Sequence, residues 1–413
     1  MSSEDAVWRQ HTEVITCLID NRTLVGIDED AAALHRARES IPAPFPHVLY
    51  LLVTDDCNMQ CRYCFMRGNE HSSPKHGNMS PATAANVLDY FVSSIQSGSF
   101  AEFSSEKQII FYGGEPLMNM PVLQHVVDYC SVLIGKGELP DNIRFQLVTN
   151  GTLLNLKTAQ FLKAEGVNVG ISIDGDEIIT DESRPLKSGG SAYASIVEAI
   201  DLCHNLDINV SASVTITPMG LKRKNALLEK MLELKVRSIG FNMLIGKASS
   251  QPETYNVEVS QFLLEAFDLF RSKGIYEDRI MRKARSFVEG NLYRFDCAAS
   301  GANQIVAAPD GGVGICQGFT ASREFFYGNV NAGVDYSVRK QVLDEWNCRT
   351  PILMDECTDC AALGLCGGGC PYNAYLNAGT IWAKDDRFCS HALETLNWLV
   401  WDLYGTTIKA HKT

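Results

Sequence analysis

The sequence predicts an α/β protein: a partial (β/α)6 TIM barrel over residues 47–274, joined by a bridge at 275–296 to a cysteine-rich module at 297–390. Three observations carry this. Apolar strand-like runs alternate with helical patterns from Val48 to Ile245, as in a parallel sheet with helical crossovers. The first four of these runs end in short segments that carry Cys, Glu, Asn or Asp, where a barrel of this kind places its function. And most of the fourteen cysteines fall into two clusters.

Composition sets the outer limits. At 413 residues, 46 % hydrophobic and 9 % aromatic, the chain can bury a large core. The formal charge is -13, and no run of five basic residues occurs, so no nucleic-acid or anionic-membrane partner is expected. No stretch of eighteen apolar residues and no basic-then-apolar N-terminus is present, which predicts a cytoplasmic protein. In that compartment cysteines serve metals rather than disulfides.

Taken in order, residues 1–46 read as a hairpin and linker: strands at Glu13–Ile19 and Thr23–Ile27 about an Asp20-Asn21-Arg22 turn, a helix from Asp28, then the stiff Ile41–Pro46 segment. Strands follow at 48–54, 107–112, 142–148, 168–173, 208–216 and 237–245. Helices fall between them at 80–96, 121–135, 155–165, 191–206 and 221–235, and Val259–Lys273 closes the series. The strand runs are apolar nearly throughout, as expected of a sheet covered on both faces. The bridge is charged and without clear periodicity, and residues 391–413 hold an amphipathic helix read as packing.

The first strand leads into Cys57-Asn-Met-Gln-Cys61-Arg-Tyr63-Cys64. A [4Fe–4S] cube is usually held by four thiolates, so three cysteines in one loop leave an iron open to another ligand. Zinc also suits short cysteine spacings, with Asp55, Asp56 or His71 as a fourth ligand. The second strand ends at Gly113-Gly114-Glu115-Pro116, where two glycines permit close backbone approach to a ligand beside a carboxylate. The third ends at Asn150, and the fourth at Ser172-Ile-Asp174-Gly, with Arg184-Pro following. A guanidinium fork suits a carboxylate ligand. The second module gives Cys297, Gly311-x4-Cys316, Cys357-x2-Cys360-x5-Cys366-x3-Cys370 and a final Cys389. Cys17, Cys130 and Cys203 sit in apolar contexts and are read as structural.

The three-cysteine loop with an aromatic before its third cysteine resembles the cluster motif of the radical S-adenosylmethionine (SAM) superfamily, and the later cysteines resemble its SPASM extension. The resemblance implies one [4Fe–4S] cluster on Cys57, Cys61 and Cys64 that chelates SAM. Tyr63, Gly113, Gly114, Glu115, Asn150, Ser172, Asp174 and Arg184 would surround that cofactor. It also implies two auxiliary [4Fe–4S] clusters, the first on Cys297, Cys316 and Cys370 and the second on Cys357, Cys360, Cys366 and Cys389. The first then lacks a fourth thiolate; Cys348 is the nearest spare, and substrate is the other candidate. Motifs such as Cys366-Gly-Gly-Gly-Cys370 look like those of peptide maturases. These use a 5′-deoxyadenosyl radical to abstract hydrogen from a ribosomally made precursor peptide and close a thioether or carbon–carbon cross-link, fed by a flavodoxin or ferredoxin. One alternative is an anaerobic sulfatase maturase, which oxidises Cys or Ser to formylglycine. Its general-base aspartate is replaced here by Gln317, an amide that cannot take a proton at neutral pH. The other is an iron–sulfur electron carrier with no SAM chemistry. The sequence names no catalytic base.

Overall fold

The computed structural model describes residues 12, 14–21, 23–67, 77–246 and 254–412, with side chains to residue 406. His71 lies outside them. Among the described residues the strands form one sheet of eleven, in the order β11-β10-β9-β8-β1-β2-β3-β4-β5-β6-β7. Its parallel part is β1 (Val48–Leu52), β2 (Lys107–Tyr112), β3 (Ile143–Thr149), β4 (Asn168–Ser172), β5 (Val210–Ile216), β6 (Ser238–Met243) and the two-residue β7 (Tyr276–Glu277). These six main strands sit where the alternating pattern predicts them. The crossover helices are α2 (Pro81–Gln96), α3 (Met120–Gly135), α4 (Leu156–Ala164), α5 (Tyr193–Asn205) and α6 (Lys224–Glu233), with α7 (Thr254–Ser272) after β6. Local chemistry starts several of them. Ser80 accepts from Thr83 N at 3.1 Å ahead of Pro81, and Asn155 accepts from Thr158 N at 3.1 Å.

The expectation that the strands are apolar on both faces is wrong in a useful way. Leu49, Leu51, Ile109, Phe111, Leu147, Ile171, Val214 and Phe241 point to the helices and form the main core. The alternating residues Tyr50, Gln108, Tyr112, Gln146, Ser172, Ser213 and Asn242 remain partly or fully exposed on the inner face. Cross-strand hydrogen bonds organise that face: Gln108 to Gln146 at 2.7 Å, Ser211 to Ser238 at 2.7 Å and Asn242 to Ser213 at 3.1 Å. The barrel's inner face is therefore largely polar and partly open, interrupted by the buried Val48, Leu52 and Ile110. Tyr, Ser and Gly within apolar runs disguised this alternation.

Two further expectations need correcting. Residues 14–20 are helical and α1 (Ile27–Glu39) follows, so there is no hairpin at 13–27 among the described residues. Thr23 N and Leu24 N both donate to Leu18 O, turning the chain back without a sheet partner. Asp28, Glu29 and Asp30 at the first turn of α1, and Arg36 and Arg38 at its last, complement the helix dipole. The bridge at 275–296 contains α8 (Asp278–Glu289), capped by Glu277, which accepts from Arg279 N at 2.7 Å and Ile280 N at 2.8 Å. Buried Lys283, polar at a core position, is what hid its period.

The cysteine-rich module does not stand apart. β8 (Gln304–Ala307) pairs in parallel with β1, Val48 opposite Gln304 and Tyr50 opposite Val306, and extends the barrel sheet on its open side. β9 (Gly312–Gly314), β10 (Phe326–Asn329) and β11 (Gly333–Val334) continue antiparallel, followed by α9 (Tyr336–Cys348). The last helix, α10 (Asp386–Lys412), begins earlier than the expected 391 and so includes Cys389. Among the described residues one helical stretch, Pro116–Gly135, is long and apolar enough to cross a membrane. Within the fold its Val122, Val126, Cys130 and Leu133 are buried in the core, where it packs on α2.

Phe241 shows what holds the helical layer. It is 1 % exposed, edge-on to Phe262 at 5.5 Å and stacked near Phe270 at 6.2 Å on α7. Phe241→Ala is expected to cost about 3–5 kcal/mol, through lost transfer energy and the cavity left behind. A lower urea midpoint at unchanged slope is the readout.

Candidate active site

The loop after β1 is braced on three sides at the C-terminal edge of the sheet. On the first side, Gly114 N donates to Thr54 O at 2.8 Å and Glu115 N to Asp56 O at 2.7 Å. A Cβ at Gly113, whose φ is +138°, would lie 2.4 Å from Thr54 O, and one at Gly114 would lie 2.1 Å from Asp56 O. The glycines thus permit close approach to the cysteine loop's own backbone, where the sequence suggested approach to a ligand. On the second side, the segment after α5's predecessor helix Glu177–Ser183 pairs with the loop. Gln60 N donates to Pro185 O at 2.9 Å, Arg62 N to Ser183 O at 3.0 Å, and Lys187 N to Asn58 O at 2.9 Å. On the third, Asn150 Nδ2 donates to Asn58 Oδ1 at 2.9 Å and lies 3.8 Å from Cys57 Sγ, while Asn58 Nδ2 reaches Thr152 Oγ1 at 2.7 Å.

The fully buried Glu115 ties two of these sides together. Its carboxylate accepts from Leu117 N at 3.0 Å, Thr149 Oγ1 at 2.6 Å and Asn150 N at 2.8 Å. Burial pushes its pKa up, against these hydrogen bonds. Both oxygens are occupied internally, so Glu115 acts here as a brace. Asp174 is likewise fully engaged. It accepts from Tyr63 Oη at 2.5 Å, from Arg184 Nε at 3.0 Å and Nη2 at 3.1 Å, and from Thr215 N at 2.8 Å. Arg184 also lies 5.3 Å from the Tyr63 ring centroid. Burial is the largest single effect and opposes the Arg184 charge, but Asp174, Tyr63 and Cys61 together outweigh it and raise the pKa. Asp174 therefore aims Arg184 and Tyr63. Ser172, half-buried on the inner face, forms no side-chain hydrogen bond among the described residues.

Cys57, Cys61 and Cys64 stand within electrostatic reach of one another. Burial raises the Cys57 pKa and pushes Cys61 up to about 11. The later cysteines lie in two neighbourhoods. Cys316, Cys370 and Cys297 act on one another, and Cys357 shares its surroundings with Cys360, Cys366 and Cys389. Cys348 is exposed at the end of α9. Among the described residues, no three Cys, His, Asp or Glu side chains converge as a single bound ion requires. A four-iron cube is wider than an ion and spaces its thiolates farther apart. The donor chemistry fits such a cube: the sets are thiol-only, and backbone N–H groups approach sulfur, Met59 N to Cys57 at 3.4 Å and Gly318 N to Cys316 at 3.4 Å.

Four residues were not anticipated. Tyr50 and Tyr112 stand side by side on β1 and β2, rings 5.9 Å apart and edge to face. Tyr112 feels Cys64 and Cys61, whereas Tyr50 feels Cys297 and Cys316, so the pair lies between the first cysteine set and the second. Tyr372 occupies a similar place. Its ring lies 6.3 Å from Phe65, next to Cys64, and 4.9 Å from Phe319, near Cys316. Gln304 Nε2 holds Gln317 through its Oε1 at 3.2 Å. Inward parity of a tyrosine in a parallel strand was the available signal for Tyr50 and Tyr112.

Residues 51–235 match the Radical SAM superfamily model. Those residues are a radical SAM domain. The match spans less than half of the chain and marks a domain of the kind that takes a [4Fe–4S] cluster and SAM. It is 30 % identical to an uncharacterised protein of Methanocaldococcus jannaschii over 48 % of this chain and 62 % of that protein, so the match spans less than two thirds of that relative. It is 26 % identical to the serine-type anaerobic sulfatase-maturating enzyme of Klebsiella aerogenes, over 84 % of this chain and 83 % of that one. To the radical SAM cyclopropyl synthase TigE of Paramaledivibacter caminithermalis it is 24 % identical, over 83 % of this chain and 71 % of that one. Among solved structures, the radical SAM fold is shared with anSMEcpe with bound AdoMet, at a TM-score of 0.73 and 18 % identity over 88 % of this chain and 96 % of that one. It is shared too with Streptococcus suis SuiB bound to precursor peptide SuiA, at 0.56 and 14 % over 93 % and 88 %.

The buried Asp174–Arg184 pair and the exposed Glu106–Arg144 pair make a controlled comparison. Asp174→Asn, which leaves a buried guanidinium without its counter-charge, is expected to cost about 3–5 kcal/mol. Glu106→Gln is expected to cost less than about 1 kcal/mol. Chemical denaturation of both variants checks the difference.

Proposed function

We propose that this chain modifies a ribosomally made precursor peptide, closing a thioether or carbon–carbon cross-link. The observation that carries the proposal is the largely polar, partly open inner face between two cysteine sets, with the Tyr50–Tyr112 pair between them. Cys57, Cys61 and Cys64 would hold the cluster that chelates SAM. Cys297, Cys316 and Cys370 would hold a first auxiliary cluster, completed by Cys348 or by substrate, and Cys357, Cys360, Cys366 and Cys389 a second, making the module of 297–390 a SPASM domain. When bound, cluster and SAM supply an electron and a carbon radical that removes hydrogen from substrate.

The chain's own residues do the rest. Tyr63, Gly113, Gly114, Glu115 and Asn150 fix the cysteine loop. Arg184, held by Asp174, offers its remaining donors to a carboxylate, and Ser172 offers a hydroxyl. Along the inner face the Ser, Asn and Gln side chains present donors and acceptors to a peptide backbone, and α3 to α7 keep water away from the outer side. Support for a peptide substrate also comes from the similarity to a sulfatase-maturating enzyme and to SuiB, which binds the precursor peptide SuiA. A flavodoxin- or ferredoxin-type donor and a cytoplasmic setting complete the reading.

The sulfatase-maturase alternative has the higher structural similarity behind it. Against it stands Gln317, whose carbonyl oxygen is engaged by Gln304 and which cannot act as a base. The electron-carrier alternative leaves the Arg184–Asp174 arrangement and the polar inner face without a use.

Iron counting on anaerobically reconstituted protein tests the proposal. Wild type should hold about twelve irons and the Cys57/Cys61/Cys64→Ala variant about eight. Wild type alone should release 5′-deoxyadenosine from SAM, faster with its peptide. Cross-linked product two mass units lighter per bond supports peptide cross-linking; formylglycine would overturn it in favour of the alternative.

A further inference from the structure

Buried cations in this fold come with partners, with one exception among those near the later cysteines. Arg387 faces Asp385 at 2.5 Å, while Arg279 at 3.1 Å and Lys283 at 3.9 Å share Asp296. Lys107, far from the cysteines, closes the C-terminal carbonyls of the short helix Phe100–Phe103, where a positive charge is favoured. Arg349 is fully buried and forms no ion pair among the described residues. Its guanidinium donates to three carbonyls only, those of Ile381, Gly368 at 2.8 Å and Ala383 at 3.1 Å. The nearby Asp385 is already taken by Arg387, Cys370 N and Asn373.

The position of Arg349 is as telling as its lack of a partner. Gly368 is the middle residue of Cys366-Gly-Gly-Gly-Cys370, the run that joins the second later cysteine set to the first. Cys370, Cys297 and Cys366 all lie within its electrostatic reach. Burial pulls the Arg349 pKa down, and the charges of Cys370 and Asp385 act against that. Guanidinium stays charged in proteins, and an uncompensated buried charge is strongly destabilising. Asp385, shared with Arg387, and the three carbonyl dipoles supply only part of the compensation, and the cysteine sets on either side of Arg349 are the remaining source of negative charge.

We infer that Arg349 is the shared counter-charge of the two auxiliary cluster sites, a positioning residue that sets the reduction potentials of both. This rests on the reading that the two sets hold [4Fe–4S] clusters. A thiolate-ligated cluster carries net negative charge that grows on reduction, so a buried cation between two of them favours the reduced form of each. Lysine at this place keeps the charge but not the three-carbonyl fork; glutamine loses the charge.

The test is an EPR-monitored redox titration of full-length, anaerobically reconstituted wild type, Arg349→Gln and Arg349→Lys. The auxiliary signals are isolated in parallel in the Cys57/Cys61/Cys64→Ala background. The expected result is a shift of both auxiliary potentials to more negative values in Arg349→Gln, near-wild-type values in Arg349→Lys, and an unmoved SAM-binding cluster. Equal shifts in both variants, or none, at full iron content would overturn the inference. Should Arg349→Gln lose auxiliary iron, retention in Arg349→Lys still supports a charge role, and loss in both assigns Arg349 to loop scaffolding and overturns it. Wild type with only about four irons would instead remove the cluster reading beneath it.

Discussion

The backbone ladder around residues 54–62 is the constraint on which the site depends. Three cysteines in a loop have no regular structure of their own to hold them. Here the loop is a guest strand, bonded through Thr54 and Asp56 to residues 114–115 and through Asn58, Gln60 and Arg62 to residues 183–187. Each bond is worth only about 1 kcal/mol net, but burial makes losing one costlier. The same ladder delivers Glu115, Asn150 and Arg184 to their places, because each lies on a segment that bonds to the loop or braces it. Ligand geometry and cofactor surroundings are thus a single hydrogen-bonded assembly.

The second organising fact is the pairing of β8 with β1. It makes the late cysteine-rich region a continuation of the barrel sheet, with Cys297 and Cys316 at either end of the β8–β9 hairpin. Tyr50 on β1 consequently meets both neighbourhoods. A tethered domain could drift, whereas a shared strand edge holds the early and late cysteine regions in one fixed arrangement.

Much of this could be read from the chain beforehand, for physical reasons. The six main strands were legible because β-branched and aromatic runs alternate with capped helical periods, and the first cysteine loop because the short spacing of Cys57, Cys61 and Cys64 survives any tertiary arrangement. The inner face was not legible: a strand such as Val48-Leu-Tyr50-Leu-Leu52 looks uniformly apolar until parity is assigned, and only then does Tyr50 turn inward. The N-terminal helix was missed because Val, Ile and Thr near residues 14–18 favour strand, and no neighbouring sheet edge was available to pair with them. Lys283 masked α8 by putting a charge where a core residue was expected. The roles of Glu115 and Asp174 as braces depended on partners up to 41 residues away, which no local pattern contains. Arg349 was likewise silent, because its meaning lies in the missing carboxylate.

The run Gly367-Gly368-Gly369 has a consequence of its own. All three residues are left-handed, with φ of +69°, +78° and +67°. A Cβ at Gly367 would fall 2.8 Å from Asp296 N, and one at Gly369 would fall 2.8 Å from Asp385 Cβ. No side chain can enter this turn, and with neighbours this close the turn cannot swing to relieve a push. Cys366 and Cys370 are therefore two ends of one stiff lever, and a displacement at either thiol is transmitted to the other across a single turn of backbone.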